Sequence, residues 1–483
     1  MKVSELLEVS GGRLLYGNRN TEMAALALSS KEVKKGDCFV AVKGEKTDGN
    51  NFIEEAIEKG AVIILSDRHP VTYGGLYGLV ERIREGNVSF VLVEDIYKAV
   101  KSVAKYYREK YLESVVAVTG SVGKTTVKEL IYSVLSERID IYKTEGNKNN
   151  HLGLPLSIIS GNKSKNAVLE LGISNFNEMN ELSLIATPNV SVITNIGVAH
   201  IEFLLSRENI AAEKLKIING MKNGGFLIIN GDEPLLTAVK NKADSGDFAP
   251  EGVCAVKILT VSEKNQSSDY YVYNVSYSDG GTFFDIRERG KALYDGLYVP
   301  ITGKHGALDA AFAVAVARLF GCDEENVRNG FKKFSPCGDR QRLENIRGIN
   351  CIFDCYNASP ESFAASLDAF NILSERKNAN AKAIVAGSML ELGKESEKEH
   401  RKLGKLIADC SPKLLITVGE EALFVAEGAK AGGMKDENIF SYPDQTQVET
   451  VAEEIKKRLS SDSFLLIKGS RALRLEQLRD YLK

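Results

Sequence analysis

Short runs of Val, Ile and Leu alternate along this chain with segments whose apolar residues recur every three or four positions. The run Val115-Val116-Ala117-Val118 reads as a strand buried on both faces. After a polar loop, Val127, Leu130, Ile131, Val134 and Leu135 fall at i, i+3, i+4, i+7 and i+8, the apolar face of an amphipathic helix. Further strands are predicted at 167–172, 190–195 and 226–230, and a helix at 307–320 closes this stretch. Between about 253 and 300, alternating segments around Gly280-Gly281 predict antiparallel strands. The last part alternates regularly, with strands at 350–356, 382–387, 413–418 and 463–468, helices at 360–372, 396–409 and 446–459, and a final helix. Such alternation predicts a parallel, Rossmann-like sheet. Ahead of position 105, strands at 38–42 and 61–65 flank a polar turn at 46–50 and helical spacing over 52–57 that Gly60 ends. A helix over 95–112 leads into the polar loop. The expected fold is α/β in three domains: 1–105 small and mixed, 106–335 built on a central parallel sheet, and 336–483 Rossmann-like.

The polar loop carries the first candidate chemistry. Gly120, Ser121, Val122, Gly123, Lys124, Thr125 and Thr126 stand between predicted strand and helix, the context of a P-loop ATPase. Glycines let backbone N–H groups curl round phosphate oxygens, Lys124 can reach the terminal phosphates, and Thr125 can ligate Mg²⁺. The first glycine of the full motif falls at Val118, so the flanking strand and helix carry the assignment. Ligands in open α/β sheets gather beyond the carboxyl ends of the strands, where Glu170 and His200 also fall. Thr125 with Glu170 makes a sensible magnesium site, whereas His200 is an unusual magnesium ligand and reads more readily as a core or surface histidine.

Composition narrows the class. A chain of 483 residues, 43% hydrophobic and 26% charged with net charge −3, is a soluble multidomain protein whose balance points to neither nucleic acid nor a membrane surface. No apolar run approaches the ~20 residues of a spanning helix, and the N-terminus lacks the apolar core of a signal peptide, so a cytoplasmic location is expected. Seven cysteines without a CxxC pair read as reduced thiols, and one strand explains both Cys351 and Cys355. Five histidines without HExxH argue against a histidine-built zinc site.

Read together, several stretches resemble the Mur ligases of peptidoglycan synthesis. They are 119–126, Thr144-Glu145-Gly146-Asn147-Lys148-Asn149-Asn150, Gly153-Leu154-Pro155-Leu156, Glu170-Leu171-Gly172, Thr194-Asn195-Ile196 and Ala199-His200-Ile201-Glu202. Later come Gly303-Lys304-His305, 354–360, Met389-Leu390-Glu391-Leu392-Gly393 and Lys468-Gly469-Ser470-Arg471, which look like the member that adds D-alanyl-D-alanine. Asp48-Gly49, Phe52, Ala56 and Gly60-Ala61 fit that family's N-terminal UDP-binding domain.

The resemblance implies that ATP phosphorylates the terminal carboxylate of a UDP-N-acetylmuramoyl-tripeptide and that the amine of D-alanyl-D-alanine attacks the acyl phosphate. It implies two Mg²⁺ held by Thr125, Glu170, His200 and a carbamylated lysine, for which Lys214 is favoured over Lys216, and a monomer. Lys124, His200, Lys214 and Arg342 would carry catalysis, with Arg342 otherwise an exposed linker arginine. Nucleotide contacts are implied for 120–126, Asn147, Asp309, Arg342, Asp354 and Tyr356. Substrate contacts are implied for Ser29, Ser30, Lys31, Thr47, Asp48, Asn149, Asn150 and Asn357. Four departures stand out: Gly306 and Asp309 where the family shows asparagines, Ser29-Ser30-Lys31 for Asp-Ser-Arg, and Ser388 for Asp. They fit a divergent ligase with another amino acid or acceptor, or a nucleotide-binding scaffold with weak catalysis. Of the competing readings within the superfamily, Tyr356-Asn357-Ala358 and the absence of an Asp-Asn-Pro-Arg signature argue against the tripeptide-forming ligase, and the N-terminal domain with Glu391-Leu392-Gly393 argues against folylpolyglutamate synthetase.

Overall fold

The computed structural model describes every residue except 45–46, 71–76, 161–163, 246–255 and 445, and omits the side chains of 77–79 and 82. Lys46, in the expected polar turn, and Cys254 lie outside the described residues; the six other cysteines are free thiols.

Three sheets follow one another along the chain. The first has five strands in the order Arg13–Tyr16, Ser89–Leu92, Ile63–Ser66, Cys38–Ala41 and Leu26–Ala27. Only its first pair is antiparallel. The helix Ile96–Tyr111 leaves this sheet for the central one, and its buried Arg108 locks the passage. The guanidinium donates to the carbonyls of Ala186, Leu112 and Thr187 and to Asn189 Oδ1 at 2.6–3.0 Å. Burial lowers the Arg108 pKa to about 10.

The central sheet has nine strands. Tyr142–Lys143, Asn166–Glu170, Ser114–Thr119, Val190–Ile193, Phe226–Asn230 and Lys257–Ser262 run parallel. Tyr270–Ser278, Gly281–Glu288 and Lys291–Val299 extend it as an antiparallel meander, as the alternating pattern predicts. The helices Lys124–Leu135 and Lys304–Leu319 pack together on one face, burying Val127, Leu130, Ile131 and Val134 against Ala307, Ala311 and Val314. Uninterrupted apolar strands are thus covered on both faces, as a parallel sheet requires.

The third sheet has the order Arg342–Ile346, Ile349–Asp354, Phe464–Lys468, Lys382–Gly387, Leu414–Val418, Ile439–Tyr442. All pairs are parallel except the first, an antiparallel edge that begins at Arg342. Among the described residues no helix is long and apolar enough to cross a membrane.

Candidate active site

The strand Ser114–Thr119 ends on Gly120, whose φ of +151° only glycine adopts freely and where a Cβ would lie 1.9 Å from Thr194 Oγ1. Gly123, at φ +84°, starts the helix Lys124–Leu135. Between them Asn195 Oδ1 accepts from the amides of Ser121 (3.0 Å) and Val122 (2.8 Å), and Thr194 Oγ1 donates to Val122 O at 2.5 Å. The end of the neighbouring strand therefore moulds the loop. The amides at the helix start lack intrahelical partners and remain for an anion.

Thr125 Oγ1 donates to Glu170 Oε2 at 2.8 Å, and Asn149 Nδ2 donates to Glu170 Oε1 at 2.8 Å. A hydroxyl beside a buried carboxylate at the loop's mouth is an oxygen donor set suited to Mg²⁺. Among the described residues no three His, Cys, Asp or Glu cluster to hold a metal by themselves, so phosphate oxygens would have to complete the shell. Lys124 Nζ donates to Gly120 O (2.9 Å) and Ser121 O (3.3 Å), and burial lowers its pKa despite the opposing field of Glu170.

Behind the loop, Lys214 Nζ is buried and donates to Gly120 O at 3.1 Å. Burial first, and the charge of Lys124 second, depress its pKa well below the lysine range. Lys216 instead lies near the surface, donating to Glu213 Oε2 (2.6 Å) and Asn177 Oδ1 (2.9 Å). His200 adopts left-handed backbone, φ +62°, and its Nδ1 faces Glu391 Oε2 at 2.5 Å.

That last contact crosses a seam. A cavity of about 790 Å³ opens between the central and third sheets and is lined by 121–126, Asn147, Asn149, Asn150, Glu170, His200 and Asp309 on one side. Arg340, Asp354, Tyr356, Asn357, Glu361 and Lys468 line the other. Lys214 and Arg342 are not on this wall. Arg342 is 59% exposed and pairs with Glu344 at 2.8 Å. The edge strand begins at Arg342 and turns it to the face of Glu344, whereas Gln341, at φ +51°, breaks the alternation ahead of it. Arg340, two residues earlier, stacks its guanidinium 3.9 Å from the Tyr356 ring centre and reaches the cavity.

The N-terminal candidates lie apart from the cavity. Ser29 Oγ caps a short turn by accepting from Lys31 N, Ser30 Oγ donates to Glu55 Oε2 at 2.8 Å, and Asp48 holds Asn50 and Arg68. Lys31 and Thr47 are exposed. Glu32, next to Lys31, reaches Lys148 at 3.6 Å and so brings this turn to the 147–150 loop. Ser388 is buried and accepts from Ala422 N at 3.1 Å, inside the third domain rather than on the cavity wall.

Family signatures described as "Mur ligase family, catalytic domain", "Mur ligase middle domain" and "Mur ligase, glutamate ligase domain" match residues 22–108, 118–317 and 341–471. The UDP-N-acetylmuramoyl-tripeptide–D-alanyl-D-alanine ligase of Bacillus subtilis is 35% identical to this chain, covering 95% of it and 93% of that protein. The chain belongs to the Mur ligase family. The ligase of the same description from Escherichia coli is 25% identical, over 99% of this chain and 97% of its own. Among solved structures, MurF from Acinetobacter baumannii superposes with a TM-score of 0.83 at 25% identity, covering 100% of this chain and 98% of that one. MurF ligase from Thermotoga maritima in complex with ADP gives 0.76 at 28% identity, covering 96% and 97%.

In this Mur ligase the departure at Asp309 has a measurable consequence. Its carboxyl lies 3.1 Å from where a Cβ on Gly123 would sit, and burial, with Glu263 adding repulsion, raises its pKa well above the carboxylate range. The folded state then holds a proton that the unfolded chain has released, so stability falls as pH rises from the unfolded value of about 4 through the raised one. Asp309→Asn removes that dependence. Thermal melts of the variant should gain on the parent's as pH rises and converge with them at about pH 4, below both pKa values. Parallel curves at all pH values would show that Asp309 does not titrate between the two states.

Proposed function

We propose that this chain is the ATP-dependent ligase that adds D-alanyl-D-alanine to UDP-N-acetylmuramoyl-tripeptide in cytoplasmic peptidoglycan precursor synthesis, acting as a monomer. The observation that carries the reading is the shared cavity, where a phosphate loop meets Arg340, Asp354 and Tyr356 of the third domain in one chain. Full-length similarity to UDP-N-acetylmuramoyl-tripeptide–D-alanyl-D-alanine ligases supports it.

ATP lies along the seam, its phosphates on the start of the helix Lys124–Leu135 and on Lys124, whose bonds to Gly120 O and Ser121 O are exchanged for phosphate oxygens. Asn147, Asp354 and Tyr356 hold the rest of the nucleotide. Asp309 takes the place of an amide, since a neutral carboxyl both donates and accepts as asparagine does. Arg340, rather than Arg342, is the cavity arginine placed to neutralise the transferring phosphoryl group. Thr125 and Glu170 would hold one Mg²⁺, and His200 with a carbamylated Lys214 would hold a second; magnesium bound there would supply charge neutralisation at the phosphates. Asn149, Asn150 and Asn357 line the path of the peptide, while Lys31 and Thr47, with the turns built by Ser29, Ser30 and Asp48, hold the UDP end. Little covalent work falls to the protein, which positions three substrates in a water-poor seam.

Phosphate release from ATP should require both UDP-N-acetylmuramoyl-tripeptide and D-alanyl-D-alanine, and the product mass should rise by the dipeptide less water. Release with neither amine nor dipeptide incorporation, or no release from folded, ATP-binding protein, would reject the assignment.

A further inference from the structure

Glu361 is the second residue of the helix Pro360–Arg376, which Ser359 caps. Its Oε1 accepts from Val198 N at 2.9 Å across the seam. Its Oε2 is buried and has no hydrogen-bond partner among the described residues. The carboxylate lies against Gly197, where a Cβ would come within 2.5–2.7 Å of it, and Gly197 N donates to Ser121 Oγ at 2.9 Å. Glu361 is therefore one residue's backbone away from the phosphate loop, on the wall of the same cavity.

No ion pair among the described residues neutralises it. Glu233, an acid that feels its charge, already has Arg207 at 3.0 Å. A carboxylate serving only as a strut would turn its second oxygen to an amide or to solvent, because an unpaired buried carboxylate oxygen is costly. Glu361 lines the cavity into which the proposed reaction must bring an ammonium group.

We propose that Glu361 docks the ammonium of the acceptor dipeptide and takes a proton from it as it attacks; the inference rests on the ligase function proposed above. The ammonium gives one proton to Oε2, and the freed lone pair forms the C–N bond at the acyl carbon while the C–O bond to phosphate breaks. The second nitrogen proton leaves with phosphate as HPO₄²⁻, and Glu361 returns its proton to water. The two-step reaction lets this role be separated from ATP chemistry, because acyl-phosphate formation needs no amine.

Glu361→Gln keeps an oxygen for Val198 N but cannot take the proton. Scrambling of β,γ-bridge oxygen label in ATP, measured in the full chain with UDP-N-acetylmuramoyl-tripeptide alone, should stay within about threefold of the parent. Amide formation with D-alanyl-D-alanine should fall roughly 10²–10⁴-fold, the usual worth of a positioned general base, with KM for the dipeptide raised and KM for ATP unchanged. Glu361→Asp, which retains the charge, should recover part of the amide formation. Equal loss of scrambling and amide formation would overturn the proposal in favour of a seam strut or metal ligand, and unchanged amide formation would overturn it outright. Absence of amide product from the unmodified protein given both substrates and ATP would instead reject the ligase function, and this inference with it.

Discussion

Replacing Lys214 by alanine should cut amide formation by about 10³-fold, the scale of losing one preorganised charge contact in a water-poor site, and added formate or acetate should restore part of it. The argument starts from an energetic obstacle: a carbamate forms only from a neutral amine, and an ordinary lysine is almost wholly protonated at pH 7. Burial and the neighbouring Lys124 charge remove that obstacle at Lys214. Lys216 is turned away to Glu213 near the surface, so Lys216→Ala should keep most activity. Carbamylation turns a potential cation into an anion, and a small carboxylic acid occupying the vacated space supplies the missing oxygens. Protein equilibrated with ¹³C-bicarbonate should show a carbamate carbon resonance that Lys214→Ala lacks. Full activity of Lys214→Ala without added acid would remove the residue from the mechanism.

What could be read from the sequence was local. Periodicity around 115–135 sufficed for strand, loop and helix because both flanking elements announce themselves within a few residues, and the structure has them at Ser114–Thr119 and Lys124–Leu135. Short, partly exposed strands such as Arg13–Tyr16 and Ile439–Tyr442 carry no such signal and went unpredicted. Site residues that depend on contacts distant in sequence were hidden for the same reason. Asn195 shapes the phosphate loop from 74 residues away, and Glu361 reaches Val198 across 163. The choice between Arg340 and Arg342 turned on an edge strand that only its pairing with Ile349–Asp354 reveals. Lys128, buried with its Nζ on Thr144 O at 2.8 Å and Glu129 at 3.1 Å, sits one turn inside the helix where periodicity alone marks no role.

Lys468→Ala should destabilise the third domain by about 3–5 kcal/mol, a loss on the order of 10 °C in its melting transition. Lys468 is 1% exposed, at the end of the strand Phe464–Lys468, and its Nζ lies 2.6 Å from Asp354 Oδ2 at the end of the adjacent strand. Ser366 Oγ donates to the same oxygen at 2.5 Å, and Lys468 Nζ also donates to Asn357 O at 3.0 Å. Removing the lysine leaves a buried carboxylate with one hydroxyl for company, which costs far more than the pair contributes beyond an apolar substitute. The double variant Lys468→Met with Asp354→Leu should therefore recover most of the melting temperature while still failing to turn over ATP, since Asp354 faces the nucleotide cavity. Equal melting of single and double variants would show that the charge left behind is not what the single variant suffers from. The same pair thus holds two strand ends together and presents a carboxylate to the seam, so structural stability and the proposed nucleotide contact reside in one hydrogen-bonded group.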